Sequence, residues 1–314
     1  MTGMSEVLVL GATSMVGSHF VKYGNLRCSV IGQDDPRRAG LSVERFERVD
    51  LDDRVALLQA LDRSAEPVIV NFAAKTNVDL VERERPPMGA SPSGTAWTVN
   101  ALAPELIAAQ ARSSGRLFVQ ISTDFVFDGR GGPYSETDPR SELSPGLSWY
   151  GWTKSEGERR ARDAYPATVL VRIAYPYRSG FSSKTDVARW IVERSMEGSL
   201  PPLYADQQIS PTWIPDVTAA VVRIVRSGRR GTFHVASPLI TSPFEFGTEL
   251  LRWVSGHHAE AVPGLFPVDG TDPTRAPRPR CGGLRTHATE GAGFHLTSWK
   301  DGARALAREE GWVR

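Results

Sequence analysis

The sequence predicts an α/β protein, a doubly wound parallel sheet with a smaller α/β lobe toward the C-terminal end. Three observations carry this expectation. The apolar run Glu6–Leu10 passes straight into a glycine turn and then a helical stretch. Further strand-sized apolar runs at 28–31, 67–72, 117–121 and 168–173 alternate with helical patterns. After Ile173 that alternation stops.

Each element has a local reason. A run that is apolar at nearly every residue suits a strand buried on both faces of a parallel sheet. The glycine turn opens a helix from about Ser14 to Tyr23. The runs PVIVNF at 67–72, LFVQI at 117–121 and TVLVRI at 168–173 are rich in β-branched residues, which favour strands. Val99, Leu102, Leu106 and Ala109 recur at helical spacing and are expected to share one buried face. Strands alternating with helices imply right-handed crossovers and a parallel sheet. Beyond Ile173, residues 215–227 read as a helix burying Val217, Ala220, Val221, Ile224 and Val225, and 232–235 as a late strand. The proline-rich stretch 262–280 reads as irregular, and 301–310 as a terminal helix with Trp299, Ala303 and Leu306 facing inward. Residues 86–95, rich in Pro, Gly and Ser, read as an insertion between a strand and its helix, and His257 and His258 as surface residues.

Composition narrows the function classes. The chain has 314 residues, and 37 Lys plus Arg against 36 Asp plus Glu leave a charge of +1, without the basic excess expected of a nucleic-acid or anionic-membrane binder. The two cysteines, Cys28 and Cys281, are too few for a disulfide framework, and no Cys/His cluster suggests a metal. A reducing cytosol is the expected compartment. Apolar runs are too short for a membrane span, and no basic region precedes the first, so no signal peptide is expected.

The turn after the first strand reads Gly11-Ala12-Thr13-Ser14-Met15-Val16-Gly17. In that position a glycine-rich turn lets backbone N–H groups approach a pyrophosphate at a helix N-terminus, although Ser14 replaces the usual middle glycine. After the second strand an acid binds a ribose 2′-OH and an Arg accommodates a 2′-phosphate. Asp34-Asp35-Pro36-Arg37-Arg38 offers both, and the Arg37-Arg38 pair favours NADP(H), with NAD(H) the alternative. Asp50-Leu51 stands where a carboxylate and the adjacent backbone meet an adenine amine. Phe72, Ala73 and Ala74 end the fourth strand, the small residues admitting cofactor to the sheet edge.

Tyr150-Gly151-Trp152-Thr153-Lys154 is a Y-x-x-x-K pattern at the start of a helical segment, which puts the phenol and the ammonium on one face. A free phenol has a pKa of about 10. A nearby Lys⁺ and an oxidised nicotinamide are together expected to lower it toward the working range. Ser122-Thr123-Asp124-Phe125 begins at the carboxyl end of the fifth strand, where ligands meet open parallel sheets. There the Thr123 hydroxyl is placed to orient a substrate carbonyl.

Together these motifs resemble the extended short-chain dehydrogenase/reductase family, and within it the sugar-nucleotide 4-ketoreductases of the dTDP-4-dehydrorhamnose reductase type. The likeness spans nearly the whole chain: GATSMVG at 11–17, NFAAKTNVD at 71–79, VNALAPELIAAQA at 99–111, STDFVFDG at 122–129, YGWTK at 150–154, LVRIAYPY at 170–177 and ADQQISPTWIPDVTAAV at 205–221. The resemblance implies a Thr123, Tyr150 and Lys154 triad, with Asn100 supporting the Lys through water. It implies Ala174 and Tyr175 beside the nicotinamide, and Asp124, Phe125, Trp152, Gln207, Ser210 and Thr212 on the substrate side. It further implies a Rossmann domain for NADP(H) over 1–172 plus 213–236, and a sugar-nucleotide lobe over 173–212 plus 237–314. The partner implied is a nucleotide sugar, not nucleic acid or membrane, with a homodimer left open.

Phe125 stands where the family's 4,6-dehydratases carry an extra acid, so simple ketone reduction is the expected reaction. The departures lie on the substrate side. Arg278-Pro279-Arg280-Cys281-Gly282-Gly283-Leu284-Arg285 keeps the reductases' Arg-Pro and Leu but loses their Asn, Ser and Asp, and Ile209 replaces a Gly. They keep two rivals in view: a regulatory subunit without turnover, similar to the β subunit of methionine adenosyltransferase, and an epimerase using the same Tyr-Lys pair.

Overall fold

The computed structural model describes residues 6–144, 146–180, 185–254, 261–264 and 276–312. Most of the proline-rich stretch, and the His257–His258 pair, lie outside them. The first part of the chain runs β1 (Glu6–Leu10), α1 (Met15–Tyr23), β2 (Arg27–Gly32), β3 (Arg45–Arg48), α2 (Arg54–Asp62), β4 (Val68–Asn71), α3 (Val78–Glu82), α4 (Thr95–Trp97), α5 (Ala103–Ser113), β5 (Leu117–Thr123), α6 (Trp149–Ala164) and β6 (Val169–Ile173). The second part runs β7 (Pro176–Tyr177), α7 (Val187–Met196), β8 (Leu203–Tyr204), β9 (Thr212–Trp213), α8 (Ile214–Ser227), β10 (Thr232–His234), α9 (Pro243–Arg252), β11 (Pro263–Gly264), α10 (His287–Gly291) and α11 (Trp299–Glu309).

Seven parallel strands form one sheet in the order β10-β6-β5-β4-β1-β2-β3, so the strand order reverses between β1 and β4. Such a reversal leaves a crevice outside the carboxyl ends of the strands. β1 shows why its run is apolar throughout. Val7 and Val9 enter the core shared with α1 and α8, whereas Leu8 and Leu10 enter the opposite core with α2, α5 and α6. A third core joins Tyr177 and Trp213 to α7, α9 and α11. Trp299, Ala303 and Leu306 of α11 are buried there, as the sequence predicts.

The face expected of α5 is shifted. Residues Thr98–Leu102 form a π-helical turn, with hydrogen bonds reaching one residue further than in an α-helix. That wide turn advances the helix phase by one position. Val99, Ala103, Ile107 and Ala111 are buried, while Ala109 is exposed.

Candidate functional site

Gly11 has φ of 75°, and a Cβ there would lie 2.5 Å from the Ala73 nitrogen, so the turn after β1 and the end of β4 touch only because this residue is glycine. Ser14, in place of a middle glycine, caps α1: its Oγ accepts from the Gly17 N–H at 3.1 Å. Beside this turn lies a cleft of about 600 Å³ along the carboxyl ends of β1 to β4. Of the residues assigned to a cofactor from the sequence, its wall brings together Gly11, Thr13, Ser14, Arg38, Asp50, Leu51, Ala73 and Ala74.

Other expected cofactor residues lie elsewhere. Arg37 is outside the wall, because its guanidinium is held by both carboxylate oxygens of Asp35 at 2.9 Å. Val16 and Phe72 are core residues, and Met15 packs against that core. Sequence reading missed Arg48, which does line the cleft. Only the pairing of β3 with β2, Gly32 opposite Arg48, brings it beside the loop that carries Arg38.

The expected catalytic residues converge from β5 and α6. Thr123 ends β5, and its hydroxyl donates to Asp124 Oδ1 at 3.1 Å. Ser148 caps α6 through the Gly151 N–H, placing Tyr150 in the first turn. Gly151 is required by contact, since a Cβ there would stand 2.2 Å from the Phe125 carbonyl oxygen. That close approach sets Tyr150 beside the Thr123 hydroxyl.

The protein's own groups do not by themselves lower the phenol. Burial raises the Tyr150 pKa above its usual value, the Thr123 hydroxyl opposes the shift, and the Asp124 charge adds to it. Lys154 Nζ instead donates to the Ile121 carbonyl at 2.9 Å. Burial lowers its pKa to about 8, against the attraction of Glu158. Desolvation thus outweighs any help from the ammonium, and the phenol keeps its proton. Asp124 is 2% exposed; burial pushes its carboxyl up to about 7, and Oδ2 has no partner.

Asn100 has direct protein partners. Its amide donates to the Lys75 carbonyl at 3.0 Å and to Thr153 Oγ1 at 3.1 Å, and its oxygen accepts from the Lys75 N–H. It sits in the π-helical turn and ties the segment after β4 to α6.

On the expected substrate side, Phe125 meets Tyr150 edge-on with ring centroids 5.6 Å apart. The indole nitrogen of Trp152 is buried without a partner. Gln207 Nε2 donates to the Tyr175 hydroxyl at 3.1 Å and to the Pro279 carbonyl at 3.0 Å. Tyr175, next to Ala174, holds φ of 44°, which a non-glycine residue rarely adopts and which clusters at functional sites.

Ser210 and Thr212 depart from expectation: both are fully buried and line neither cleft. The Ser210 hydroxyl accepts from the Leu284 N–H at 2.9 Å. That of Thr212 accepts from the Ala174 N–H and donates to the Val235 carbonyl, both at 3.0 Å. They hold backbone together rather than face a ligand. Also missed was the pairing of two noted segments: Arg278 grips Asp79 through two N–H···O bonds at 2.9 and 2.8 Å. Each segment was legible alone; nothing in either announced their meeting.

Among the described residues, no group of three or more His, Cys, Asp or Glu could hold a metal ion, and no helix is long and apolar enough to cross a membrane.

A family model described as RmlD substrate binding domain matches residues 4–311. A Haloferax volcanii protein named as a probable low-salt glycan biosynthesis reductase, Agl14, is 30% identical over 239 residues, 75% of each chain. The dTDP-4-dehydrorhamnose reductase of Mycobacterium tuberculosis is 31% identical over 252 residues, 78% of this chain and 74% of the relative. The crystal structure of a dTDP-4-dehydrorhamnose reductase from Clostridium acetobutylicum, 27% identical, superposes with a TM-score of 0.78 over 96% of this chain and 98% of that one. The NADP complex of a dTDP-4-dehydrorhamnose reductase from Bacillus anthracis shares the fold, at 21% identity and a TM-score of 0.80, covering 98% of this chain and 99% of that one. The chain belongs to the RmlD substrate-binding family.

Proposed function

We propose that this family member is an NADPH-linked reductase of a nucleotide-linked 4-keto-6-deoxysugar. The observation that carries the reading is the placing of the buried Tyr150 phenol, which desolvation holds above its usual pKa, beside the Thr123 hydroxyl at the carboxyl end of β5. A ketone reduction requires a proton donor and an orienting hydroxyl together in that position.

The cofactor cleft fits a dinucleotide on its own chemistry. Gly11, Ala73 and Ala74 leave the backbone approachable, and α1 points its N-terminus at the cleft. In this reading residues 1–172 with 213–236 hold the cofactor, and 173–212 with 237–314 the sugar nucleotide. Arg38 and Arg48 would take the 2′-phosphate, and Asp50 the adenine amine. Lys154, Ala174 and Tyr175 would border the nicotinamide ribose. The cofactor, when bound, supplies a hydride for the ketone carbon.

The protein's own residues do the rest. Thr123 donates a hydrogen bond to the ketone oxygen and fixes its orientation. Tyr150 gives its phenolic proton to that oxygen as the alkoxide develops, leaving an alcohol and a phenolate. Lys154, one helical turn away, stabilises that phenolate, and Asn100 keeps α6 and the Lys75 segment in register. Phe125 supplies no acid, which supports reduction without loss of water. A reducing cytosol suits two free cysteines, Cys28 and Cys281.

The test follows NADPH and NADH oxidation against a panel of nucleotide-linked 4-keto-6-deoxysugars. Tyr150→Phe should lower turnover by about a hundredfold or more, with NADPH affinity measured by fluorescence unchanged. Retained turnover would overturn the role of Tyr150. Absence of oxidation across the panel would favour a regulatory subunit. Arg38→Gln and Arg48→Gln should each weaken NADPH about tenfold and leave NADH nearly unaffected, as loss of a charge-assisted bond implies.

A further inference from the structure

A second cleft, of about 680 Å³, opens between the C-terminal half of α6, the loop 136–140 and the strands β6 and β10, and shares no wall residue with the first. Its charged groups are unequally satisfied. Glu158 is gripped by Arg172 through bonds of 2.9 and 2.7 Å, and Asp163 pairs with Arg159 at 2.6 Å. Glu136 Oε1 accepts from the Thr289 N–H and hydroxyl at 3.0 and 2.7 Å. Asp138 accepts from the Ser135 N–H at 2.7 Å.

Two guanidinium groups differ. Arg140 donates only to the carbonyl and hydroxyl of Ser155, and Arg162 to the Thr232 hydroxyl, so both have neutral acceptors. Among the described residues neither is hydrogen-bonded to a carboxylate. Burial holds Arg162 below its usual pKa; Glu158 opposes this, while repulsion from Arg172 and Arg140 adds to it. Glu136 and Asp138 act on Arg172 instead. Arg140, Arg162 and Arg172 therefore share a corner in which the carboxylates of Glu158, Glu136 and Asp138 act on Arg172, while the hydrogen bonds of Arg140 and Arg162 go to neutral oxygens.

We propose that this second cleft is a binding site for a doubly charged oxyanion of the phosphate class, free or at the end of a nucleotide, held by Arg140 and Arg162. Each planar guanidinium keeps N–H donors beyond those used by Ser155 or Thr232, and its geometry suits two oxygens of one tetrahedral anion. A bound dianion also relieves the repulsion within the corner. Behind it, Glu158 lies near Ser122, the neighbour of Thr123, and feels the charge of Lys154. A ligand drawing on Arg172 thereby reaches the groups around Lys154, and any such coupling is reciprocal.

The experiment is calorimetric titration with inorganic phosphate, pyrophosphate and a nucleoside diphosphate. It compares the wild-type chain, Arg140→Gln/Arg162→Gln and Arg38→Gln/Arg48→Gln. The site requires saturable phosphate binding to the wild type, retained in the 38/48 pair and weakened at least about tenfold, or ~1.4 kcal/mol, in the 140/162 pair. Equal affinity for the three probes means that phosphate suffices; a rise toward the diphosphate identifies a nucleotide. If the glutamine pair unfolds, Arg140→Gln alone must weaken phosphate while its melting temperature stays at the wild-type value. No saturable phosphate binding, undiminished binding by the folded 140/162 variant, or loss only in the 38/48 pair overturns the site.

Discussion

At Tyr150 and Lys154 the same desolvation has opposite consequences, because the charged form is the base in one and the acid in the other. The phenol is kept protonated, ready to give its proton away, and the ammonium is left easier to discharge. Asp124 follows the phenol, and its shift has a thermodynamic signature. Its pKa rises from the ordinary 3.8 to about 7. Between those values the folded chain holds a proton that the unfolded chain has released. The stabilisation is fully present below the lower value and is lost as pH rises through the upper one. We expect wild-type stability to fall by up to about 4 kcal/mol between pH 4 and pH 8 from this residue alone. Asp124→Asn should remove that part of the slope. Equal pH slopes for the two proteins, followed by thermal melts, would rule the account out.

At the scale of the element, α6 depends on one missing methyl group. Gly151→Ala sets a Cβ against the Phe125 carbonyl and must push the first turn of the helix away from β5. We expect a cost of about 1–3 kcal/mol, and a fall in turnover larger than the fall in cofactor affinity, since Tyr150 moves with the turn. Equal losses in both would mean general unfolding. The Y-x-x-x-K pattern and the glycine turn were legible because each is a local device, complete within one turn of chain. The buried face of α5 was not, because a π-helical turn at Thr98–Leu102 shifts every later residue by one position and leaves no periodic mark of its own. Arg48 was hidden for another reason: its placement depends on which strand lies beside β3. Ser210 and Thr212 sit in a recognisable motif, yet their hydroxyls are consumed by backbone groups at Leu284, Ala174 and Val235.

At the scale of the whole molecule, the two segments joined by Arg278 and Asp79 lie 199 residues apart in the chain. Arg278→Met should raise KM for the sugar nucleotide with little change in NADPH affinity. A double-mutant cycle with Asp79→Asn should give a coupling of about 1 kcal/mol for this partly exposed pair. Zero coupling would leave the clamp without energetic meaning. The sheet ends in two different ways. At one margin the β10 backbone is occupied, its His234 N–H donating to Thr289 Oγ1 at 2.9 Å. At the other, β3 is four residues long, and three of them, Arg45, Glu47 and Arg48, are charged. A short charged margin resists the strand-to-strand docking by which open sheets polymerise. Colloidal stability is thus built into the same strand that walls the first cleft. Replacing Arg45 and Glu47 with valine should turn a dispersed protein into one that clouds on concentration, while the cofactor cleft, bordered by an untouched Arg48, continues to bind.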